Sequence, residues 1–341
     1  MRKKRIIAGL ILSLCVVSGI VKYYQTPYFL SVAAIMKNEK PYLKEWLEYH
    51  LLQGVEHFYL CDNESTDNTK EYLEPYIKKG VITYIPLPGI NQQRACYDKI
   101  VKTYKDETEW LAIIDLDEYL VPLKEDNMKS FLKEFDDVSE VSLHWMNYGD
   151  NEAFTRPNGL VTEFFTSHGI KLNHTVKSIV RPKAVKGFDY FGSNHYVHVE
   201  GKSVNENHWP VDYMLGFYPS ANKARVNHYI LKSFAEFMYK KNRGHPEGTP
   251  IDYGYYFFHN ENEIKNDSSL LRFLPKLKER MKKSPLQDVA LPVDKNLPET
   301  FDDFYFSPNE ASSILGREIL KPMKFKDVER AYQDKHPQYS K

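Results

Sequence analysis

Cysteine is scarce. Cys15, Cys61 and Cys96 are the only three in 341 residues, and Cys15 lies inside the first apolar segment. That excludes a disulfide framework and a clustered zinc site, both of which need larger or closely spaced sets. Cys61 and Cys96 read as buried free thiols, with one bridge between them as the alternative. An excess of charge is also missing, since 46 Lys and Arg balance 46 Asp and Glu. No broad basic face for nucleic acid follows from that balance, so an anionic ligand has to be met by local groups. Internal repeats, low-complexity tracts and Gly/Ser-rich linkers are absent too, which leaves one domain with appendages.

Only one long apolar run exists. Ile6 to Val21 follows the basic flank Arg2, Lys3, Lys4 and Arg5. At about 1.5 Å per residue it is short for a bilayer core of about 30 Å, and Tyr23 and Tyr24 supply an interfacial end. It reads as a membrane anchor, with a signal peptide cleaved near Val17-Ser18-Gly19 as the alternative. The basic flank stays cytoplasmic and the rest of the chain crosses. The expected partition is a flank over 1–5, an anchor or signal over 6–22, a short stem over 23–28, an α/β domain over 29–259 and a helical extension over 260–341. Tyrosine is the abundant aromatic, 25 against 19 Phe and 4 Trp. Such rings suit strand packing and sugar-facing surfaces alike.

From Tyr28 onward, strand and helix patterns alternate. "YFLSVAAIM" (28–36), "VEHFYLCD" (55–62), "VITYIPL" (81–87) and "WLAIIDLDEYL" (110–120) read as strands, with helices over 40–54, after 68 and over 91–105. That alternation predicts an α/β fold, a mostly parallel sheet with helices on both faces, whose ligands collect beyond the carboxyl ends of the strands. The rule gathers Lys37, Asn38 and Glu39, then Asp62 and Asn63, then Asp115, Asp117 and Glu118 on one rim. A further strand is expected over 138–148, several short ones over 160–200, and a helix over 228–243.

The Asp115-Leu116-Asp117 pair carries the chemistry. In extended chain the two carboxylates share a side, and a hard divalent cation relieves their repulsion. Two carboxylates leave an Mg²⁺ or Mn²⁺ shell unfilled, so phosphate oxygens and water complete it. A phosphatase of the haloacid-dehalogenase type also has Asp-x-Asp after an apolar strand. Here three strand-helix units precede the motif, and Tyr119 replaces the usual threonine.

"AAIMKNEKPYLKEWLEYHLLQGVEHFYLCDNESTD", "QQRACYD", "WLAIIDLDEYLVP", "KSIVRP" and "NHYILKS", in that order, resemble glycosyltransferase family 92 and the related family-2-like group. The resemblance covers about residues 29 to 245. It implies a GT-A fold, a UDP-sugar donor with galactose as the best-known sugar, a divalent metal (Mn²⁺ or Mg²⁺), a glycan acceptor and inversion at the anomeric carbon. Carried over by position, Asn38, Glu39, Asp62 and Asn63 meet the nucleotide, while Gln93 and Arg94 open a helix toward the phosphates. Asp115 bridges metal and ribose, Asp117 binds the metal, and His228 completes the metal site. Lys177, Arg181 and Lys232 neutralise the diphosphate. Asp150, where the family commonly has serine, is the candidate base, and Trp145 the acceptor platform. The competing readings are a catalytically inactive glycan-binding domain and the phosphatase. The location expected is a single-pass membrane protein, facing the Golgi lumen in a eukaryote or the cytoplasm at a bacterial inner membrane.

Overall fold

The computed structural model describes residues 28–156, 159–188, 196–212, 218–244, 250–291 and 294–336. The basic flank and the expected anchor lie outside them. Among the described residues no helix is long and apolar enough to cross a membrane.

The first half is built as the alternation predicts. β1 (Tyr28–Met36), β2 (His57–Asp62), β3 (Ile82–Pro86) and β4 (Thr108–Ile113) run parallel in the order β3-β2-β1-β4. They are joined through α1 (Lys40–Leu52), α2 (Thr69–Lys78) and α3 (Gln93–Tyr104). Because side chains alternate along a strand, each strand feeds two cores. Leu30, Val32, Ala34, Phe58, Leu60, Trp110 and Ala112 pack with Leu43, Trp46 and Leu47 of α1. Ala33, Tyr59, Cys61, Leu111 and Ile113 pack with Cys96, Tyr97 and Ile100 of α3. Cys61 and Cys96 therefore face each other and are joined as a disulfide with Cα atoms 6.0 Å apart. This corrects the free-thiol expectation: the inward side of β2 and the first turn of α3 meet across one small core.

Past β4 the order continues β7 (Val176–Val180), β6 (Glu140–Asn147), β11 (Ala224–His228), β5 (Glu118–Pro122). β7 is antiparallel to both β4 and β6, β6 and β11 are parallel, and β5 is antiparallel to β11. The single strand expected over 110–120 is thus two strands, with Asp115 to Asp117 in the break between them. Five Cα steps from Ile113 to Glu118 reach at most about 18 Å. A flat sheet would separate β4 from β5 by four spacings of about 4.8 Å, so the sheet curls to bring the ends of β4 and β11 together. The result is a curled, mixed α/β sheet whose parallel half is the one the alternation predicts.

β8 (Val185–Phe188) and β9 (Val197–Val199) form a side hairpin, and β10 (Ser203–Asn205) pairs with β6. α4 (Met128–Leu132) and α5 (Val161–Phe164) are short. Of the helix expected over 228–243, only α6 (Phe234–Arg243) is helical, because the Ser233 side chain and Glu236 form a capping box that fixes its start. His228 instead ends strand β11. α7 (Tyr253–His259), α8 (Leu274–Lys283), α9 (Pro308–Leu315) and α10 (Phe325–Lys335) follow, with the pair β12 (Tyr305–Phe306) and β13 (Met323–Lys324). Phe304, Phe306 and Phe325 from this segment share a core with Phe234, Phe237 and Tyr256. The C-terminal extension therefore packs directly on α6 and α7.

Candidate active site

The break after β4 sends its two aspartates to different partners. Asp115 accepts from Gln93 Nε2 at 2.9 Å and from Lys177 Nζ at 2.6 Å. Asp117 accepts from Lys240 Nζ at 2.9 Å and faces His228 Nε2 at 3.7 Å. The turn itself is held by Glu118, which accepts the Asp115 backbone N–H at 2.9 Å and lies 3.3 Å from Lys177 Nζ. Burial pushes the Glu118 carboxyl up to about 8, with Lys177 partly offsetting it.

Burial alone would also raise Asp117, but Lys240 and then His228 outweigh it and hold the carboxylate well below its usual range. Burial lowers the His228 imidazole, and Asp117 only partly compensates. An ionised carboxylate thus faces a neutral imidazole, which is the donor chemistry a divalent cation takes. The buried His228 Nδ1 has no hydrogen-bond partner among the described residues. These two groups fit a metal. The expected three-ligand set does not form, because Asp115 is turned into its bonds with Gln93 and Lys177. Among the described residues no three His, Cys, Asp or Glu side chains converge on one point.

A small polar cleft, lined by Glu39, Tyr42, Lys232 and Lys240, opens beside Asp117. Lys232 lines it from a left-handed backbone (φ 59°), with Nζ 4.4 Å from the Tyr42 ring centroid. Burial lowers its pKa. Lys240 and Arg243 project from the last turn of α6, and Arg243 is ion-paired with Glu39. Sequence reading missed both. The Ser233-x-x-Glu236 capping box would have phased the helix and put these two basic residues on one face.

Asn38, Asp62 and Asn63 reach the rim but brace its turns. Asn38 (φ 52°) accepts the Thr66 N–H at 2.7 Å. Asp62 accepts from Ser65 N at 2.9 Å and from Tyr84 OH at 2.5 Å. Asn63 donates to the carbonyls of Leu87 and Gly89. Arg94, in the first turn of α3, lies 3.8 Å from Asp98. Trp145 lies beneath the site, its ring 4.2 Å from that of His228 and 5.7 Å from Lys177 Nζ.

Two expectations are corrected. Arg181 is at the opposite end of the strands, bonded to Glu109 and to the Val138 and Phe135 carbonyls, with its guanidinium 4.2 Å from the Trp110 ring centroid. β7 runs antiparallel to β4, so only its first residues reach the rim. Asp150 is 1% exposed and accepts from Tyr256 OH, Asn262 Nδ2 at 2.7 Å and the Glu152 N–H at 2.8 Å. A carboxylate enclosed by three donors fastens its loop to the C-terminal segment and cannot meet an acceptor.

Known proteins resemble this chain in sequence and, weakly, in structure. One relative, a glycosyltransferase family 92 protein of Arabidopsis thaliana, is 28% identical over 167 residues, 45% of this chain and 29% of its own. Another, from Ricinus communis, is 27% identical over 166 residues, 47% of this chain and 30% of its own. The matched stretch is thus under a third of those relatives' length. Among solved structures, S. aureus TarS 1–349 is 15% identical with a TM-score of 0.33, covering 76% of this chain and 67% of that one. Glucosyl-3-phosphoglycerate synthase from Mycobacterium tuberculosis, in complex with Mn²⁺, UDP and glucosyl-3-phosphoglycerate, is 12% identical with a TM-score of 0.29, covering 49% and 61%. Likeness at that level is too low to equate side chains. The sequence profile described as glycosyltransferase family 92 matches residues 27–218, more than half of the chain. The chain belongs to glycosyltransferase family 92.

Proposed function

We propose that this chain is a metal-dependent, inverting glycosyltransferase that moves a hexose, galactose being the first choice, from a UDP-sugar to a glycan hydroxyl. The observation that carries the reading is the facing pair Asp117 and His228, set among Lys177, Lys232 and Lys240 at the rim of a family 92 sheet. Mn²⁺ or Mg²⁺ would be held by Asp117 and His228, with diphosphate oxygens and water filling its shell, and supplies charge stabilisation for the leaving group. Lys240 and Lys232 lie beside Asp117 and offset the negative charge that grows on the departing diphosphate. Lys177 stays between Asp115 and Glu118 and keeps the acidic turn from springing apart. Asp115, fixed by Gln93 and Lys177, is the carboxylate that accepts from ribose hydroxyls. Asn38, Asp62 and Asn63 hold the turns against which the nucleotide lies.

The N-terminal segment anchors the enzyme in a membrane. The Cys61–Cys96 pairing favours a lumenal site, since disulfides persist in oxidising compartments. The test is a screen of the full chain against UDP-sugars with Mn²⁺, Mg²⁺ or EDTA, following UDP release and acceptor modification. One UDP-hexose is expected to react, EDTA to abolish the reaction, and Asp117→Ala to slow it at least about 100-fold. Transfer indifferent to both EDTA and Asp117→Ala would refute the metal-dependent reading.

A further inference from the structure

Asp150 is enclosed, so the acceptor hydroxyl needs another base, and the segment after α7 supplies one. Resting on the glycosyltransferase reading above, we infer that Glu261 is the general base, and that α7 with the loop behind it forms the acceptor side of the site.

Glu261 is seated by contacts on two sides. Its Oε1 accepts from Asn147 Nδ2 at 2.9 Å. A Cβ at position 169 would collide with Oε2, so Gly169 is the bare wall against which the carboxylate rests. Asn147 pairs in register with His228 across β6 and β11, one strand spacing of about 4.8 Å. Residues paired across neighbouring strands point to the same face, so Asn147 and His228 present their side chains together. Trp145, two residues back on that face, touches the His228 ring. The Asn147 amide therefore holds the Glu261 carboxylate on the side of the sheet where His228 faces Asp117.

Tyr255 and His259, one turn apart on α7, face the site side, whereas Tyr253, Tyr256 and Phe257 face the C-terminal core. Tyr255 lies 5.9 Å from Lys240 Nζ, measured to the ring centroid, and its ring is 4.4 Å from that of His259. Exposed Phe258 is on this helix, and exposed Ile264 is bridged to His168, next to Gly169. Apolar side chains around a carboxylate are what the faces and hydroxyls of a sugar ring require. This segment falls outside residues 27–218, as do His228, Lys232 and Lys240.

In the reaction, the acceptor oxygen forms its bond to the anomeric carbon while the bond from that carbon to the diphosphate oxygen breaks. The nucleoside diphosphate leaves with the electron pair, and the acceptor proton passes to Glu261. Burial raises the Glu261 pKa, the Asn147 hydrogen bond partly offsets this, and Glu263 is the charged group acting on it. A raised pKa makes the carboxylate a better proton acceptor.

The experiment compares full-length wild type, Glu261→Gln, Glu263→Gln and Gly169→Ala, using the UDP-sugar and acceptor that the wild type accepts. Glu261→Gln keeps an oxygen for the Asn147 amide, so the fold and UDP affinity are expected to stay within about twofold. Its kcat should fall about 10²–10⁴-fold, and the wild-type rise of kcat/KM with pH, from protonated to ionised Glu261, should vanish. Gly169→Ala should lower kcat with little change in UDP affinity, and Glu263→Gln should stay near wild type. The assignment is overturned if Glu261→Gln keeps kcat within about threefold of wild type, or if Glu263→Gln is the variant that loses transfer and the pH dependence. If wild type itself transfers nothing, the glycosyltransferase reading falls and takes this assignment with it. An active Glu261→Gln enzyme removes this assignment alone.

Discussion

Asp150 is the residue where structure and sequence pattern disagree most usefully, and replacing it separates the two. A general base removed by Asp150→Ala would leave a stable, inactive enzyme. The structure predicts an unstable one. The substitution strands three donors in a buried place: Tyr256 OH, Asn262 Nδ2 and the Glu152 N–H. The attachment of the Asp150 N–H to Asn260 Oδ1 at 3.0 Å would be left unsupported. Each stranded donor costs about 1–3 kcal/mol, and water entering the gap relieves part of that. A total of about 3–5 kcal/mol follows, a large share of the 5–15 kcal/mol typical of a domain. Asp150→Asn keeps an acceptor oxygen and should cost about 1 kcal/mol. The sign of the pH dependence is fixed as well. Burial raises the folded pKa of Asp150 above its ordinary 3.8, against the pull of Tyr256 and Asn262. Between those two values the folded state binds more protons than the unfolded one, so this group's contribution to stability falls as pH rises. The wild-type advantage over the neutral Asn variant should narrow through that window. The assay is urea unfolding followed by tryptophan fluorescence, comparing midpoints at fixed slope. An Ala variant that loses transfer yet stays within 1 kcal/mol of wild type, on the order of one exposed hydrogen bond, would refute this account.

Arg181→Ala should leave UDP affinity unchanged in calorimetric titration, while lowering stability by about 1–3 kcal/mol through its lost carbonyl bonds and its stacking on Trp110. A fall in UDP affinity would restore the phosphate role. The Cys61–Cys96 bridge closes a sequence separation of 35, which the loop-entropy estimate values at about 3–4 kcal/mol. Melting with and without reductant should show that loss. Protein folded under oxidising conditions, then denatured unreduced, should offer a single reactive thiol, Cys15, and three would disprove the pairing.

The first four strands and three helices were legible because each strand is a short apolar run set between helix-period segments, and Gly54 and Gly80 close two of the helices. Local pattern is enough there, since each strand and helix is marked by its own residues whatever its neighbour in the sheet. The break at Asp115 was not legible. Ile113 to Val121 contains no Gly or Pro, and what ends β4 is the pairing of β5 with β11, about a hundred residues away. The same limit hid the enclosure of Asp150, whose partners Tyr256 and Asn262 lie over a hundred positions downstream. His228 was found by its motif and misplaced by its element, although Ser233 and Glu236 carried the boundary in plain view. Asp117 and His228 come together on the rim, while Asp115 is turned to other partners. Arg181 and Asp150 are not in the site. Lys240, Arg243 and Glu261 have no local signal apart from the phase of the helix or loop they follow.

The reversed direction of β7 matters beyond this site. Lys177 and Arg181 stand four residues apart in "KSIVRP", and composition gives no reason to prefer either. One anchors the acidic turn and the other shores up the far end of the strands, only because this strand enters the sheet from the opposite end. Run the same six residues the other way and the two would trade occupations. A short basic motif thus carries a compass bearing as well as a content. Transferring roles between relatives by matching letters is sound only where the orientation of the strand has been carried across with them.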